Sequence, residues 1–423
     1  MKNKFKINLF GIYALFLVIV FASLTLIQKN NNALPFFYKD YPTYKINGKQ
    51  DFDASSESLV LNRIDFATLS KEYKYKFNLW RINNDVRYFG DYKDGKTYNK
   101  EHLTTREYLS DGNPYRSQIG AQSFFWVQLS SILNQKHGDY RALKGVAVLL
   151  FSICAAAILT WVYINFGMAS SLVGLLVVVL STGVNIFAES LYWSIWQIFL
   201  PLAVACVLDA LKIENIYAVF FGTFMAFLFK FLSGYEFITM IVFAAMTPYV
   251  WDFFINKNSA ALARTIYVGL SSVAAFLVSL VIYNAFYLTD FQSSGFDNIY
   301  SRSGSWSLKN ISALGLSPWV QSGKFFIMNF MDVNGYGMPL IVFLVMILAT
   351  IFFARNKIGS KEFNFIGFLF LGSVSWLIVQ PGHVLFHPRY AALVFFIPFG
   401  LFAPSFIVGL YFTQDKSRKA VSE

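Results

Sequence analysis

The sequence predicts an all-α polytopic membrane protein of about ten transmembrane helices, with a large extracytoplasmic loop directly after the first. Three observations carry that expectation. Of 423 residues, 56% are hydrophobic, 19% aromatic and only 14% charged, where a soluble chain averages about 25% charged; mean hydropathy is +0.48. The apolar residues come in blocks of about 17–25, the length that crosses about 30 Å of hydrocarbon as a helix. The short connections between blocks alternate between basic and nearly uncharged.

The blocks cover residues 7–27, 144–165, 170–188, 192–212, 215–233, 236–254, 265–288, 337–354, 363–380 and 390–413. The first follows the basic start "MKNKFK". It is too long for the h-region of a cleaved signal peptide, about 7–15 residues, and reads as an uncleaved span. With a cytoplasmic N-terminus, one side receives Lys2, Lys4, Lys6, Lys212, Lys257, Arg264, Arg355, Lys357, Lys361, Lys416, Arg418 and Lys419. The opposite short loops carry only Lys230 and Arg389. The positive-inside rule then puts both termini in the cytoplasm. The chain divides into a tail and first span (1–27), a large outer loop (28–143), spans two to seven (144–288), a second outer loop (289–336), and spans eight to ten with a C-terminal tail (337–423).

The formal net charge of +11 serves to orient spans and to meet anionic lipid. Walker-type, zinc-type and RNA-motif spacings are absent, so no nucleic-acid partner is expected. Cys154 and Cys206 lie inside apolar blocks and suggest neither a disulfide framework nor a metal cluster. The first outer loop is rich in Tyr, Asp, Lys and Asn, with a turn at "SDGNPY", 110–115. It ends in "SQIGAQSFFWVQLSSIL", 117–133, where apolar residues alternate with Gln and Ser. Two readings fit that stretch: an amphipathic helix along the membrane surface, or an extension of the second span.

The unusual polar residues collect on the outer side. Asp40 lies in "FFYKDYP", Glu189 closes the third span in "NIFAESLYW", and Lys230 and Glu236 flank the "SG" turn of "FLFKFLSGYEFITM". His383, His387 and Arg389 lie in "PGHVLFHPRY" between the last two spans. An ionisable group at membrane depth is by default a functional hypothesis, and this convergence on one leaflet suggests one site there. Each group also has a structural reading. Lys230 can snorkel to the headgroups, Glu236 can favour the first turn of the sixth span through the helix dipole, Glu189 can mark the end of a span, and Asp40 can simply be solvated. The spacing of His383 and His387 suits a metal pair on a helix. With Pro388 next in the chain and no third ligand evident, phosphate or hydroxyl recognition fits them better. Whether a divalent cation takes part is not legible. The aromatics of "SLYWSIWQIFLP", 190–201, including Tyr192 and Trp193, suit an interfacial belt or stacking on a sugar ring.

The layout of a large outer loop after the first span, with an acidic residue near its start and a second in the next outer loop, resembles the GT-C superfamily of polytopic glycosyltransferases. The motifs "YRSQIG" (115–120), "ESLYW" (189–193), "KFLSGYEF" (230–237) and "GHVLFHPRY" (382–390) resemble bacterial membrane proteins of surface-polysaccharide gene clusters. The resemblance implies a polyprenyl-phosphate sugar donor and a glycan or lipid-linked acceptor, at the outer leaflet of a bacterial plasma membrane. It implies Asp40 and Glu189 as the acidic pair, one of them the base for the acceptor hydroxyl. The adjacent Asp-Asp or Asp-Glu pair of many such enzymes is missing, which keeps Asp51, Asp53 and Glu57 open as alternatives to Asp40. A leaving phosphate calls for cationic clamps, for which Lys230, Arg389 and Arg116 are the candidates; arginine binds phosphate oxygens two at a time. Glu236, Tyr235, His383, His387, Tyr192, Trp193 and Gln118 are candidates for binding or orienting substrate. An O-antigen-type polymerase, a lipid-linked oligosaccharide flippase or other transporter, and a structural membrane subunit are the competing expectations.

Overall fold

A computed structural model describes residues 44–46, 49–51, 59–61, 63–64, 67, 80–82, 112–114, 119–134, 140–180, 184, 187–291, 294–297, 320, 358–380 and 396–422. The blocks expected at 7–27 and 337–354 lie outside the described residues. The segment 28–143 contributes two short antiparallel ladders. In one, β1 (Tyr44–Ile46) pairs with β2 (Lys49–Asp51); in the other, β3 (Trp80–Ile82) pairs with β4 (Gly112–Pro114). The main helices are α1 (Ala121–Ile132), α2 (Arg141–Phe166), α3 (Met168–Leu180), α4 (Ile195–Ala210), α5 (Ile216–Ser233), α6 (Ile238–Phe254), α7 (Ser259–Phe291) and α8 (Ser360–Val379), and a kinked segment (Phe396–Gly400), with Ile397 extended, leads into α9 (Leu401–Ser422).

Four of these helices, α2, α5, α7 and α8, are long and apolar enough to cross a membrane; α3, α4, α6 and the stretch from the kink at 396–400 into α9 are apolar but shorter. Their outward faces explain the composition. On α7, Leu262, Ile266, Leu270, Val273, Leu277, Val281 and Leu288 are exposed along one stripe, as are Tyr217, Phe221 and Met225 on α5. A soluble protein rarely leaves apolar surface of that extent uncovered. Lipid is the solvent that suits it, and the chain is a helical membrane protein.

The helices start and stop for local reasons. Asn215 caps α5, its side-chain oxygen accepting from the backbone N–H groups of Tyr217 and Ala218. Asn258 caps α7 in the same way through Ala260 N–H. That cap starts α7 at Ser259, earlier than the hydropathy block at 265, because a polar first turn is no obstacle to a capped helix. α3 is described to Leu180, and within the rest of the block expected to 188, Val184, Phe187 and Ala188 are also helical. α1 is a helix of its own, not an extension of the second span. Its Trp126 is fully buried, and its Phe125 ring meets Trp196 of α4 at 5.6 Å and Phe229 of α5 at 6.3 Å.

α4 and α6 form the middle of the bundle. α4 packs on α2, α5 and α6, and α6 on α7 and α8, while α5 lies along α7 and α9 against α3. Lipid gives little hydrophobic drive for helix association, so close approach and interhelical hydrogen bonds matter more. Thr223 and Ser271 hydroxyls meet at 2.7 Å between α5 and α7, and Ser375 donates to Thr239 at 2.9 Å between α8 and α6. Small residues let backbones close up. A methyl on Gly372 of α8 would meet Phe243 Cβ at 2.7 Å and Pro398 Cγ at 3.1 Å. The segment 28–143 also enters this core. Leu59, Val60, Leu61 and Ile64 belong to the same buried cluster as the helices, so the segment is not wholly hydrophilic surface.

Two glycines of α8 therefore part company. Gly372→Ala should destabilise by about 1–3 kcal/mol through overpacking against rigid neighbours. Gly367, whose added methyl meets nothing within 4 Å, should accept alanine neutrally or with a gain of up to about 1 kcal/mol. Thermal unfolding of the two variants in one detergent reads the difference.

Candidate functional site

Between residues 189 and 194, ahead of α4, the chain leaves regular helix and polar side chains gather. α1 holds it in place from the side. Trp126 Nε1 donates to the Leu191 carbonyl at 2.9 Å and to Ser194 Oγ at 3.2 Å, and Gln122 Nε2 donates to the Tyr192 carbonyl at 3.4 Å. Ser194 Oγ in turn donates to Leu191 O at 2.7 Å. Ser194 adopts a left-handed backbone (φ 42°) at the head of α4, and Phe237 does the same (φ 65°) at the head of α6. Few non-glycine residues take that conformation, and both are fully buried.

The Lys230 turn closes on itself. Gly234 N–H donates to the Lys230 carbonyl at 3.1 Å, ending α5. The Lys230 ammonium reaches back to donate to Gly234 O at 2.8 Å and stands 3.6 Å from Glu236 Oε2. Lys230 is 4% exposed, so it does not snorkel outward. Glu236 lies two residues ahead of α6 rather than in its first turn, because Phe237 delays the helix start. The dipole reading of Glu236 gives way to direct pairing with Lys230.

These elements enclose a recess. Gln122 of α1, Tyr192 and Trp193 of the α3–α4 connection, Gln197 and Ile198 of α4, Lys230 and Ser233 of α5, and Glu236 and Phe237 line about 260 Å³, its open mouth included. The Tyr192 and Trp193 rings stand edge to face at 5.2 Å. Tyr192, Trp196 and Phe199 are buried in the bundle, so these members of the 190–201 stretch do not form a lipid-facing belt. Within the recess wall, Gln122 Oε1 and Gln197 Nε2 are buried without a hydrogen-bond partner. Leaving such a group unpaired costs about 1–3 kcal/mol.

Of the sequence-predicted residues, the structure brings Lys230, Glu236, Tyr192 and Trp193 together. Tyr235 turns away, its ring against Phe276 (5.7 Å) and Tyr283 (6.3 Å) of α7. Burial pushes its phenol up to about 12, which keeps it a neutral hydroxyl. Glu189 is half-buried at the start of the connection and is not among the residues lining the recess. Asp40, Arg116, Gln118, His383, His387 and Arg389 lie outside the described residues, as do Asp53 and Glu57 and the side chain of Asp51. Gln122 and Gln197 were not singled out from the sequence. The available signal was a Gln in an otherwise apolar helix, "IWQIFLP", and another in the amphipathic stretch. Among the described residues, no group of three or more His, Cys, Asp or Glu side chains could hold a metal ion.

A second polar cluster sits at the opposite end of α5, about 27 Å away along its 18 residues. Asp252 accepts from Arg264 Nη2 at 3.0 Å, Asn258 Nδ2 at 2.6 Å and Asn256 Nδ2 at 2.9 Å. Arg264 also lies over the Tyr249 ring, 5.5 Å from its centroid. Asp209 accepts from Trp161 Nε1 at 2.8 Å, with Lys212 at 3.9 Å. Hydropathy assigns Arg264 to a basic loop. The structure places it inside α7, 4% exposed and paired, because the Asn258 cap extends the helix past it.

No family model matches the chain, and no curated protein or solved structure matches it.

The Asp252–Arg264 pair yields a stability test. Removing one partner of a buried pair leaves an uncompensated charge, at about 3–5 kcal/mol, whereas replacing both is far milder. Arg264→Met should lower the thermal midpoint markedly, and adding Asp252→Asn should recover much of the loss. A double variant no better than Arg264→Met would remove the pair as the cause.

Proposed function

We propose that this chain is an integral membrane glycosyltransferase that moves a sugar from a polyprenyl-phosphate donor to a cell-surface glycan or lipid-linked acceptor, at the outer leaflet of a bacterial plasma membrane. The observation that carries this reading is Lys230: a buried ammonium at the end of a membrane helix, held by Gly234 O and Glu236, on the wall of a recess that also presents two glutamine amides, a tyrosine and a tryptophan. A lipid-phosphate sugar combines the three chemistries such a wall can meet: an anion, hydroxyl groups and a ring face, delivered from the membrane.

The reaction follows from those parts. The acceptor hydroxyl attacks the anomeric carbon, the bond from that carbon to the phosphate oxygen breaks, and the electron pair leaves with the polyprenyl phosphate. The hydroxyl proton passes to a carboxylate, a role that falls to Asp40 or Glu189, with Asp51, Asp53 or Glu57 as alternatives to Asp40. Lys230 stabilises the negative charge that grows on the leaving phosphate, and Glu236 fixes its direction. The helix starts of α4 and α6 at the same recess add positive potential. Arg116 and Arg389 join Lys230 in this scheme, with Gln118, His383 and His387 on substrate hydroxyls or phosphate; a divalent cation is compatible with it.

A transporter of lipid-linked oligosaccharide is the second reading. The buried Asp209, Asp252 and Arg264 favour it, because they put ionisable groups between the helices at the end of the bundle opposite Lys230.

One assay separates the two. Proteoliposomes holding the purified chain are given radiolabelled polyprenyl-phosphate sugar and acceptor. The glycosyltransferase reading expects label on the acceptor, with Lys230→Met reducing the rate about 10²- to 10³-fold. It expects a loss of about 10²- to 10⁴-fold from Asp40→Asn or Glu189→Gln, whichever is the base. Lipid crossing the bilayer with no transferred label would decide for transport.

A further inference from the structure

The two unpartnered amides carry one step more. Gln122 and Gln197 are each 1% exposed. Gln122 uses its Nε2 on the Tyr192 carbonyl, which leaves Oε1 free to accept; Gln197 Nε2 is free to donate. Both line the recess beside Lys230. An acceptor and a donor on one small wall are the complement of a hydroxyl, which donates once and accepts through its lone pairs. A phosphate oxygen only accepts and would leave Gln122 unanswered. An ammonium only donates and would leave Gln197 unanswered. An acyl chain would answer neither. The enclosed space in the recess is about 10 Å³, room for one water-sized group, which a single sugar hydroxyl matches.

We infer that Gln122 and Gln197 together form a hydroxyl-reading subsite that selects the donor's sugar, next to the Lys230 phosphate contact. This rests on the glycosyltransferase reading. It divides the site into two functions: Lys230 recognises that a lipid phosphate is present, and the glutamines recognise which sugar it carries. A pocket built to hydrogen-bond a hydroxyl discriminates strongly against a ligand that lacks it there, because its own buried groups then stay unpaired.

The test is a binding titration of the full-length protein in detergent, read by tryptophan fluorescence because Trp193 lines the recess. The probes are polyprenyl phosphate alone and polyprenyl phosphate carrying glucose, galactose or N-acetylglucosamine. At least one sugar-bearing lipid should bind the native protein about tenfold more tightly than the bare lipid. Gln122→Met and Gln197→Met keep side-chain volume and remove the amide. Each should lose about tenfold on that sugar-bearing lipid alone, and the retained response to bare polyprenyl phosphate shows that the variant is folded. The inference is overturned if no sugar-bearing lipid binds more tightly than the bare one, if the variants keep the sugar increment, or if they lose both ligands alike. The last result would make the amides structural supports or the seat of a bound water. Native-rate transfer by both variants would also sink the subsite while leaving the glycosyltransferase reading intact. Native protein that binds none of the four lipids would remove both.

Discussion

Hydrocarbon offers no water to a stray polar group, and this constraint organises the irregular parts of the chain. Where the backbone leaves the helix between α3 and α4, a tryptophan and a glutamine from α1 supply hydrogen-bond donors for its carbonyls. At the tip between α5 and α6, the lysine side chain answers the Gly234 carbonyl that would otherwise be bare. At the far end, Asp252 has three side-chain donors around one carboxylate. In each place a break in regular structure is stabilised by a buried side chain from a neighbouring element. The recess lies where the first two of these breaks meet.

The membrane character and several helix limits were legible in the sequence. The block 215–233 became α5 at Ile216–Ser233 and the block 144–165 became α2 at Arg141–Phe166, because a long apolar run with a capping Asn or a terminal Gly leaves little freedom. Helix starts next to the recess were less legible. α4 and α6 begin two or three residues late because Ser194 and Phe237 take left-handed backbones, a tertiary demand that no hydropathy window registers. Arg264 was misplaced for a related reason: a charge looks like a loop residue until its partner, twelve positions earlier, is seen beside it.

The site shows the same division. Lys230 and Glu236 stood out because charge in an apolar run is conspicuous, and they do pair. Gln122 and Gln197 are neutral, and only burial without partners distinguishes them. Tyr235 shares the motif "KFLSGYEF" with Lys230 but faces α7, since neighbours in an irregular turn need not share a direction. Motif membership therefore located the turn, and packing decided which of its residues line the recess.

One helix relates all this to the bilayer itself. α7 runs for 33 residues, about 50 Å, and its exposed apolar stripe continues from Leu262 to Leu288, about 39 Å of rise. That exceeds the roughly 30 Å of a typical hydrocarbon layer. The helix must lean away from the membrane normal or thicken the lipid around it. α5, which ends in Lys230, lies along α7, and the α7 tyrosines 283 and 287 pack with Ile119, just ahead of α1. Membrane thickness thus acts as a mechanical load on α7, which lies against two of the elements that frame the recess.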